Sequence, residues 1–253
     1  MVLDMFSLDG RIALVTGAND GIGQAIAIGL AEAGADIAGV FRTDISVTEE
    51  KVKALGRQFF GIKADLCLPD SSQKVFDAAM NHYGHIDILV NNAGTIRRAD
   101  STEYTEKDWD EVMNVNIRSL FFLTQKVGKQ MIDKNIKGKI INTASLLSFQ
   151  GGIRVPAYTA SKSAVRGITM TLANEWAKYG ICINSIAPGY IATKNTKALR
   201  EDPERYEQIL VRIPAGRWGM PDDIKGLAVF LASPASDYIN GTTIPCDGGW
   251  MGR

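Results

Sequence analysis

Ile12-Ala-Leu-Val-Thr-Gly-Ala-Asn-Asp-Gly-Ile-Gly23 is the stretch that decides the fold, because it joins an apolar run to a helical pattern through a glycine-rich turn. Gly17, Gly21 and Gly23 make the turn tight enough for a pyrophosphate to approach the backbone, and the following helix supplies amide donors. The spacing is GxxxGxG instead of GxGxxG, so the general fingerprint is only partly met. Such a turn can simply separate a strand from a helix, but its place after the first strand favours dinucleotide binding.

The alternation of short apolar runs and amphipathic segments continues along the chain. Strands are predicted at residues 12–16, 37–41, 59–64, 86–90, 139–143, 182–187 and 243–246. Helices are predicted at 22–33, 48–55, 71–83, 109–132, 161–179, 203–211 and 221–232. Near-continuous apolar strands separated by helices indicate a parallel sheet covered on both faces. We therefore predict an α/β fold in which residues 1–253 form one domain around a doubly wound parallel sheet of about seven strands.

The amino-acid composition argues against several classes of binding partner for this protein. Lys and Arg together number 28, as do Asp and Glu, so no basic surface points to nucleic acid or another polyanion. Cys67, Cys182 and Cys246 are widely spaced and lack a CxxC or Cys/His cluster, which predicts reduced thiols and no metal site. The N-terminus lacks a signal-peptide pattern, and no run of about 18 apolar residues predicts a membrane span. We expect a cytoplasmic protein.

The carboxyl ends of the strands are where a doubly wound sheet binds its ligand. The second strand ends at Phe41 and Arg42, where an acid would read a ribose 2′-hydroxyl and an arginine would accept a 2′-phosphate. Arg42 favours the phosphate, whereas Asp20 in the glycine turn disfavours it by repulsion, so these residues leave the choice open. Further cofactor contacts are predicted at Asn19, Ile22, Asp65, Leu66, Asn92, Ala93, Gly94, Pro188, Gly189, Ile191 and Thr193.

Two of these positions have competing interpretations. Asp65 is placed to accept a hydrogen bond from an adenine amino group, and it is equally placed to cap the next helix. Asn91-Asn-Ala-Gly94 can line a cofactor channel, although by itself it is a turn signal. Thr193 would offer its hydroxyl to a nicotinamide carboxamide.

A second group of residues indicates proton chemistry. In a helix, Tyr158 and Lys162 share one face, and a neighbouring ammonium favours the phenolate and lowers the tyrosine pKa. An ordinary helix-surface pair is the alternative. Ser145 places a hydroxyl at the end of the fifth strand, at the same edge of the sheet. Asn116 lies within an apolar helix, where a weak helix former predicts an interruption or a water site.

Taken together, these motifs resemble the short-chain dehydrogenase/reductase family in order and spacing, over essentially the whole chain. The resemblance implies a Rossmann-type sheet that binds NAD(H) or NADP(H). Tyr158 would be the acid/base, Ser145 would hydrogen-bond the same substrate oxygen, and Lys162 would lower the tyrosine pKa and hold the nicotinamide ribose. Asn116 would support a water that relays protons. The segment Asp247-Gly-Gly-Trp250 resembles the terminal segment of a family whose members are often homotetramers.

A narrower resemblance, in residues 95–98, 148–158, 174–176 and 213–219, is to bacterial 2-dehydro-3-deoxy-D-gluconate 5-dehydrogenases. These interconvert 2-dehydro-3-deoxygluconate and 3-deoxy-2,5-hexodiulosonate in uronate breakdown, mostly with NAD(H). This resemblance and Asp20 favour NAD(H) here, with NADP(H) possible. A sugar acid needs a cation for its carboxylate, and arginine suits a bidentate clamp. The candidate substrate contacts are Arg97, Arg98, Arg154, Arg217 and Gln150, with Arg154 preferred because it lies four residues before Tyr158.

Other functions fit the same residues. The enzymatic alternatives are gluconate 5-dehydrogenase and 3-oxoacyl thioester reductase. A nicotinamide-binding sensor that has lost catalysis is the non-enzymatic alternative. It is disfavoured because such proteins commonly lack the Tyr or Lys that stand here at positions 158 and 162.

Overall fold

One parallel sheet of seven strands organises the protein. The computed structural model describes residues 1–253. The strands are β1 Ile12–Thr16, β2 Asp36–Phe41, β3 Phe59–Lys63, β4 Ile88–Asn91, β5 Lys139–Thr143, β6 Cys182–Pro188 and β7 Thr243–Cys246. Their spatial order is β3-β2-β1-β4-β5-β6-β7, and every neighbouring pair is parallel. This confirms the predicted doubly wound, Rossmann-like fold.

Helices cover both faces of the sheet. They are α1 Gly21–Glu32, α2 Ser46–Ala54, α3 Ser71–Tyr83, α4 Glu106–Met113, α5 Ser119–Asp133, α6 Pro156–Trp176, α7 Lys197–Glu201, α8 Pro203–Leu210 and α9 Lys225–Ala232. One core lies between α1, α9 and the sheet and includes Ile26, Leu30 and Ala228. The other lies under α3, α5 and α6 and includes Val75, Leu123 and Leu172. The central strands are therefore buried on both sides, as their apolar sequences require.

Some predicted helix bounds were wrong. The helix α6 begins at Pro156, five residues before the predicted start, because proline suits the first turn of a helix. The predicted helix 109–132 is α4 and α5 joined by a π-helical turn, Asn114–Arg118, so an interruption around Asn116 is confirmed. The short α7 was not predicted. No helix is both long enough and apolar enough to cross a membrane.

The strand order sets the position of the site. The chain leaves β1 toward β2 on one side and later returns to place β4 on the other side, which opens a crevice between the two crossover connections. The crevice lies at the carboxyl ends of the strands, where a topological switch point binds ligands. The glycine turn follows β1 and the Asn92-Ala-Gly94 bend follows β4, so the fold brings these two motifs together.

Candidate active site

The glycine turn packs too closely for side chains at its key positions. Gly21 has φ of +55°, which favours glycine. A Cβ at Gly23 would stand 2.1 Å from the carbonyl oxygen of Gly17 and 2.3 Å from Nδ2 of Asn92. The Asn92 amide donates to the carbonyl oxygen of Thr16 at 3.1 Å, which joins the turn to the bend after β4. The N-terminus of α1 is thereby held open toward the crevice.

A cleft of about 600 Å³ runs along this edge of the sheet. The structure brings into its lining most of the residues predicted to bind cofactor or substrate. They are Gly17, Asn19, Asp20, Gly21, Ile22, Gly23, Phe41, Arg42, Asp65, Leu66, Asn92, Ala93, Gly94, Arg97, Ser145, Tyr158, Lys162, Pro188, Gly189, Ile191 and Thr193. The predicted residues that do not line it are Arg98, Asn116, Gln150, Arg154 and Arg217.

Sequence reasoning missed other lining residues. They are Val40, Thr43, Ala64, Thr95, Ile96, Glu111, Val115, Thr143, Ala144, Lys194, Asn195 and Thr196. Several are direct neighbours of predicted positions at strand ends, so extending each motif by one or two residues would have found them. Residues 194–196 lie in the connection after β6, and nothing in their own sequence marks them as part of a site.

The end of β2 is joined to the glycine turn. Nδ2 of Asn19 donates to Oγ1 of Thr43 at 3.4 Å, one residue beyond Arg42. Nζ of Lys194 lies 2.6 Å from the Asp20 carboxylate, so this acid is ion-paired. The argument that Asp20 repels a 2′-phosphate therefore fails, because a lysine neutralises the carboxylate.

Asp65 forms a local turn at the end of β3. Its Oδ1 accepts from the backbone amide of Cys67 at 3.0 Å. The helix-cap interpretation was wrong, because α3 begins at Ser71 and its N-cap residue is Asp70. Asp65 keeps a second carboxylate oxygen beside the cleft.

Tyr158 and Lys162 both lie in the first turns of α6, so the helix that their shared face requires is present, although it was predicted to begin only at residue 161. Nζ of Lys162 lies 5.6 Å from the centroid of the Tyr158 ring and donates to the carbonyl oxygen of Thr143 at 2.6 Å. Lys162 is only 3% exposed. Burial lowers its pKa to about 8, because the cation loses its water and has no carboxylate beside it.

The expected lowering of the Tyr158 pKa was wrong for the protein alone. Burial raises the pKa of this phenol above its ordinary value. A hydrogen bond with Ser145 and the positive charge of Arg98 oppose that rise without overcoming it. A buried phenolate costs more free energy than these two neighbours return.

Asn116 ties three segments together from the π-helical turn. Its Oδ1 accepts from the amide of Thr95 at 2.8 Å, and its Nδ2 donates to the carbonyl oxygen of Thr95 and to Oγ of Ser161, both at 3.0 Å. Oγ of Ser161 donates in turn to the carbonyl oxygen of Tyr158 at 2.8 Å. Asn116 thus fixes the bend after β4 against the start of α6 from behind the cleft.

Three of the candidate arginines are occupied by carboxylates. Both Arg97 and Arg217 form ion pairs with nearby acids, Arg97 with Glu111 and Asp108 and Arg217 with Asp223. Arg154 pairs with Asp100 at 3.0 Å and does not line the cleft. The preference for Arg154 as the substrate clamp is therefore not supported, and neither is Arg97. Gln150, near Arg154 in the same loop, also lies outside the cleft.

Arg98 differs from the other arginines. Its guanidinium donates to the backbone carbonyl oxygen of Asn195 at 3.3 Å and has no carboxylate partner. It is exposed at the rim of the cleft, close enough for its charge to lower the pKa of Tyr158. A cation with unused donors therefore lies beside the cleft, next to Asn195 in its lining.

Comparison with known proteins matches this geometry. A family model described as "Enoyl-(Acyl carrier protein) reductase" matches residues 17–251. A 2-dehydro-3-deoxy-D-gluconate 5-dehydrogenase from Escherichia coli (strain K12) is 58% identical over 253 residues, which is 100% of both chains. The chain belongs to the short-chain dehydrogenase/reductase family.

Other members of the short-chain dehydrogenase/reductase family extend the comparison. A 2-dehydro-3-deoxy-D-gluconate 5-dehydrogenase from Bacillus subtilis (strain 168) is 55% identical, over 99% of this chain and 98% of its own. The structure of a gluconate 5-dehydrogenase from Burkholderia cenocepacia J2315, in complex with NADP and tartrate, is 40% identical. It covers 100% of both chains with a TM-score of 0.95. That structure holds NADP, so the expected preference for NAD(H) finds no support.

The cleft of this short-chain dehydrogenase/reductase fits a nicotinamide dinucleotide. A Cβ at Gly23 would close the glycine turn, so glycine there keeps the N-terminus of α1 accessible to a pyrophosphate. An ammonium has three donors, and that of Lys162 is buried with the Thr143 carbonyl as its hydrogen-bond partner, leaving donors for ribose hydroxyls. A Cβ at Gly94 would lie 3.7 Å from this nitrogen, so glycine leaves the space in front of it clear.

Proposed function

We propose that the protein interconverts 2-dehydro-3-deoxy-D-gluconate and 3-deoxy-2,5-hexodiulosonate, a reduction or oxidation at carbon five of a sugar acid, with NADP(H) as its favoured cofactor. The observation that carries the proposal is the identity of 58% over all of both chains with an enzyme of this name. The favoured cofactor is supported by Arg42 in the cleft and by the neutralisation of Asp20 by Lys194.

The chain's own residues would handle the proton and the developing charge. Hydride transfer is the chemistry that the nicotinamide supplies when it is bound. Tyr158 gives a proton to the carbon-five oxygen in the reduction and takes it back in the oxidation. Ser145 donates a hydrogen bond to the same oxygen, which stabilises alkoxide character in the transition state.

Lys162 and Asn116 would support this chemistry without contacting the reacting oxygen. Lys162 holds the nicotinamide ribose and, once it is charged, favours the phenolate form of Tyr158. Asn116 keeps the bend after β4 and the start of α6 at a fixed separation through its bonds to Thr95 and Ser161. We also propose that a water beside Asn116 relays protons toward Lys162.

Arg98 is the residue that we propose for the substrate carboxylate. Arg97, Arg154 and Arg217 already hold carboxylates of the protein, and moving one to a substrate would leave a protein acid without its partner. Arg98 uses one nitrogen to bind a neutral carbonyl, and it lies close enough to Tyr158 for its charge to lower the pKa of that phenol. Its remaining donors suit a bidentate carboxylate contact.

We further propose a cytoplasmic homotetramer. The cysteines are free thiols, which suits a reducing compartment. Large apolar side chains stand exposed on α4, α5 and α6, among them Trp109, Phe122 and Met170, each at least 40% exposed. Such a surface is typical of an interface between subunits. Light scattering of the purified protein tests the subunit count, and a monomer would contradict the proposal.

Turnover with a matched set of substrates tests the function. We expect the fastest NADPH oxidation with 3-deoxy-2,5-hexodiulosonate, slower oxidation with 5-ketogluconate, and none with an acetoacetyl thioester. Parallel reactions with NADH measure the cofactor preference. Fastest turnover of 5-ketogluconate would replace the proposal with the gluconate alternative. Turnover of the thioester alone would overturn the sugar-acid assignment.

A further inference from the structure

The side chain at the N-cap position of α1 does not cap the helix. Asp20 is the N-cap residue of α1 and has the extended backbone of that position, with φ of −158° and ψ of 176°. Aspartate is among the best N-cap residues, because its carboxylate accepts from the first free amides of the helix. Here the carboxylate makes no capping hydrogen bond. The same amides are the donors that a helix N-terminus offers to a pyrophosphate.

Lys194 holds the Asp20 carboxylate instead. The two charged groups are 2.6 Å apart, although 174 positions separate them in the chain. Lys194 belongs to the segment that follows β6, residues 189–196, which we call the strap. The strap lies across the glycine turn, since a Cβ at Gly21 would stand 3.4 Å from Cγ2 of Thr193. A second contact, from Arg98 to the carbonyl oxygen of Asn195, holds the strap on the other side of the cleft.

Without a partner, the Asp20 carboxylate would interfere with an anionic ligand in two ways. It would rotate toward the nearest free donors, the amides at the start of α1, and occupy them as a cap. Its charge would also repel the phosphates of a dinucleotide. The effect would be larger for NADP(H), because the contact between Asn19 and Thr43 places the turn beside Arg42, where a 2′-phosphate would bind.

We propose that Lys194 is a positioning residue for the cofactor: by ion-pairing with Asp20, it keeps the phosphate-binding amides of α1 free. This inference rests on the proposed use of a nicotinamide dinucleotide. It assigns to the strap a role in cofactor affinity and in the choice between NADP(H) and NAD(H). The ion pair is accessible to solvent, with the Lys194 side chain 82% and the Asp20 side chain 44% exposed, so its contribution to cofactor affinity should be modest.

Equilibrium fluorescence titrations with NADPH and NADH, in the absence of any sugar acid, test the proposal. We expect Lys194→Met to weaken NADPH binding about fivefold and NADH binding by a smaller factor, as for the loss of one charge interaction at a helix N-terminus. Lys194→Arg keeps the charge and should retain the affinity for both cofactors. Asp20→Ala removes the competing carboxylate, so the double variant Asp20→Ala/Lys194→Met should return to the affinity of the wild type.

A matched control comes from the same strap region. Lys197 forms an exposed ion pair with Glu201 in α7 and does not line the cleft, so Lys197→Met should leave both affinities unchanged. Unchanged NADPH binding by Lys194→Met overturns the proposal. So does weakening of the same size in the Asp20→Ala background, because Lys194 would then act without Asp20. A wrong substrate assignment leaves these titrations unaffected, whereas a wild type that binds neither dinucleotide overturns this inference and the proposed function together.

Discussion

Two buried lysines at opposite ends of β5 have opposite surroundings. Lys139 begins the strand, and its ammonium lies 2.8 Å from the Asp237 carboxylate and 3.2 Å from the Ser236 hydroxyl. Lys162 reaches the other end of the strand, where it has the neutral carbonyl oxygen of Thr143 as its acceptor. The two residues are 6% and 3% exposed.

The difference separates a structural edge of the sheet from a reactive edge. At the amino edge, the buried carboxylate of Asp87 is also compensated, by the Arg11 guanidinium and the backbone amide of Ile12. At the carboxyl edge, the buried ammonium of Lys162 has no carboxylate partner and is available to a ligand. Such a charge costs stability, and the cost is a sign of function because the folded protein alone offsets it with a neutral carbonyl and no carboxylate.

The largest expected effect is at the phenol of the reactive edge. Tyr158→Phe removes the proton donor, so kcat should fall about 10³-fold, which is in the range for loss of a general acid. The dissociation constant for NADPH should change by no more than about twofold, because the ring is retained. Steady-state rates and fluorescence titrations measure the two quantities. Turnover close to that of the wild type would assign the proton transfer to another group.

The two lysines should respond to the same substitution with opposite signs. Burial holds the pKa of Lys162 at about 8, below its ordinary 10.5, so below pH 8 the folded state carries the full cost of this cation. Lys162→Met should raise the free energy of unfolding by about 3 kcal/mol at pH 7. Lys139→Met should lower it by about 1 kcal/mol, since it removes hydrogen bonds that are satisfied.

The stabilisation by Lys162→Met should depend on pH. The unfolded chain binds this proton more tightly than the folded protein, so stability rises as pH increases from about 8 to 10.5. The gain from Lys162→Met should therefore vanish above about pH 10.5. Urea denaturation of wild type and variant across this range, without cofactor, measures the difference. A difference that does not change with pH would show that the cation is compensated after all.

The arginines extend the comparison to the rim of the cleft. Arg98→Gln removes the one candidate cation without a protein carboxylate, so KM for the sugar acid should rise about 10- to 100-fold, the worth of a charged hydrogen bond. Arg154→Gln, which lies outside the cleft and pairs with Asp100, is the matched control and should leave KM unchanged. Equal KM values for wild type and Arg98→Gln would remove Arg98 from the substrate site.

The smallest effect is expected at a compensated pair near the same edge. The Arg217 guanidinium holds the pKa of Asp223 at about 2, below its ordinary 3.8. Arg217→Ala should lower the unfolding free energy at pH 7 only slightly, since solvent screens an exposed guanidinium and a carboxylate that is about a third exposed. Because a depressed acid pKa stabilises above pH 4 and stops doing so near pH 2, the difference should disappear at that acidity. A raised KM for the sugar acid would contradict a purely structural role.

The fold and the cofactor end of the site could be predicted because local patterns specify them. The strands β1, β5 and β7 were predicted with their observed ends, since buried parallel strands are continuous apolar runs. Tyr158 and Lys162 share a face because helix geometry requires it. Asn116 was expected to interrupt a helix, and it lies in a π-helical turn.

The partners of charged side chains could not be predicted in the same way. Arg154 was preferred for its distance along the chain from Tyr158, but it lies outside the cleft and pairs with Asp100. Lys194 carries no local signal, and its contact with Asp20 exists only because the strap returns across the glycine turn. Both outcomes depend on the path of a loop, which hydrophobic periodicity does not encode.

The π-helical turn links the position of the buried Asn116 to the orientation of the exposed face of α5. A π turn holds one residue more than the α-helical path requires, and each residue advances a helix by about 100°. The extra residue at Asn114–Arg118 therefore sets both the inward aim of Asn116 and the direction in which α5 presents Phe122. Deleting one residue there would rotate the outer face of α5 by about 100° relative to Asn116, which is more than a quarter of a turn.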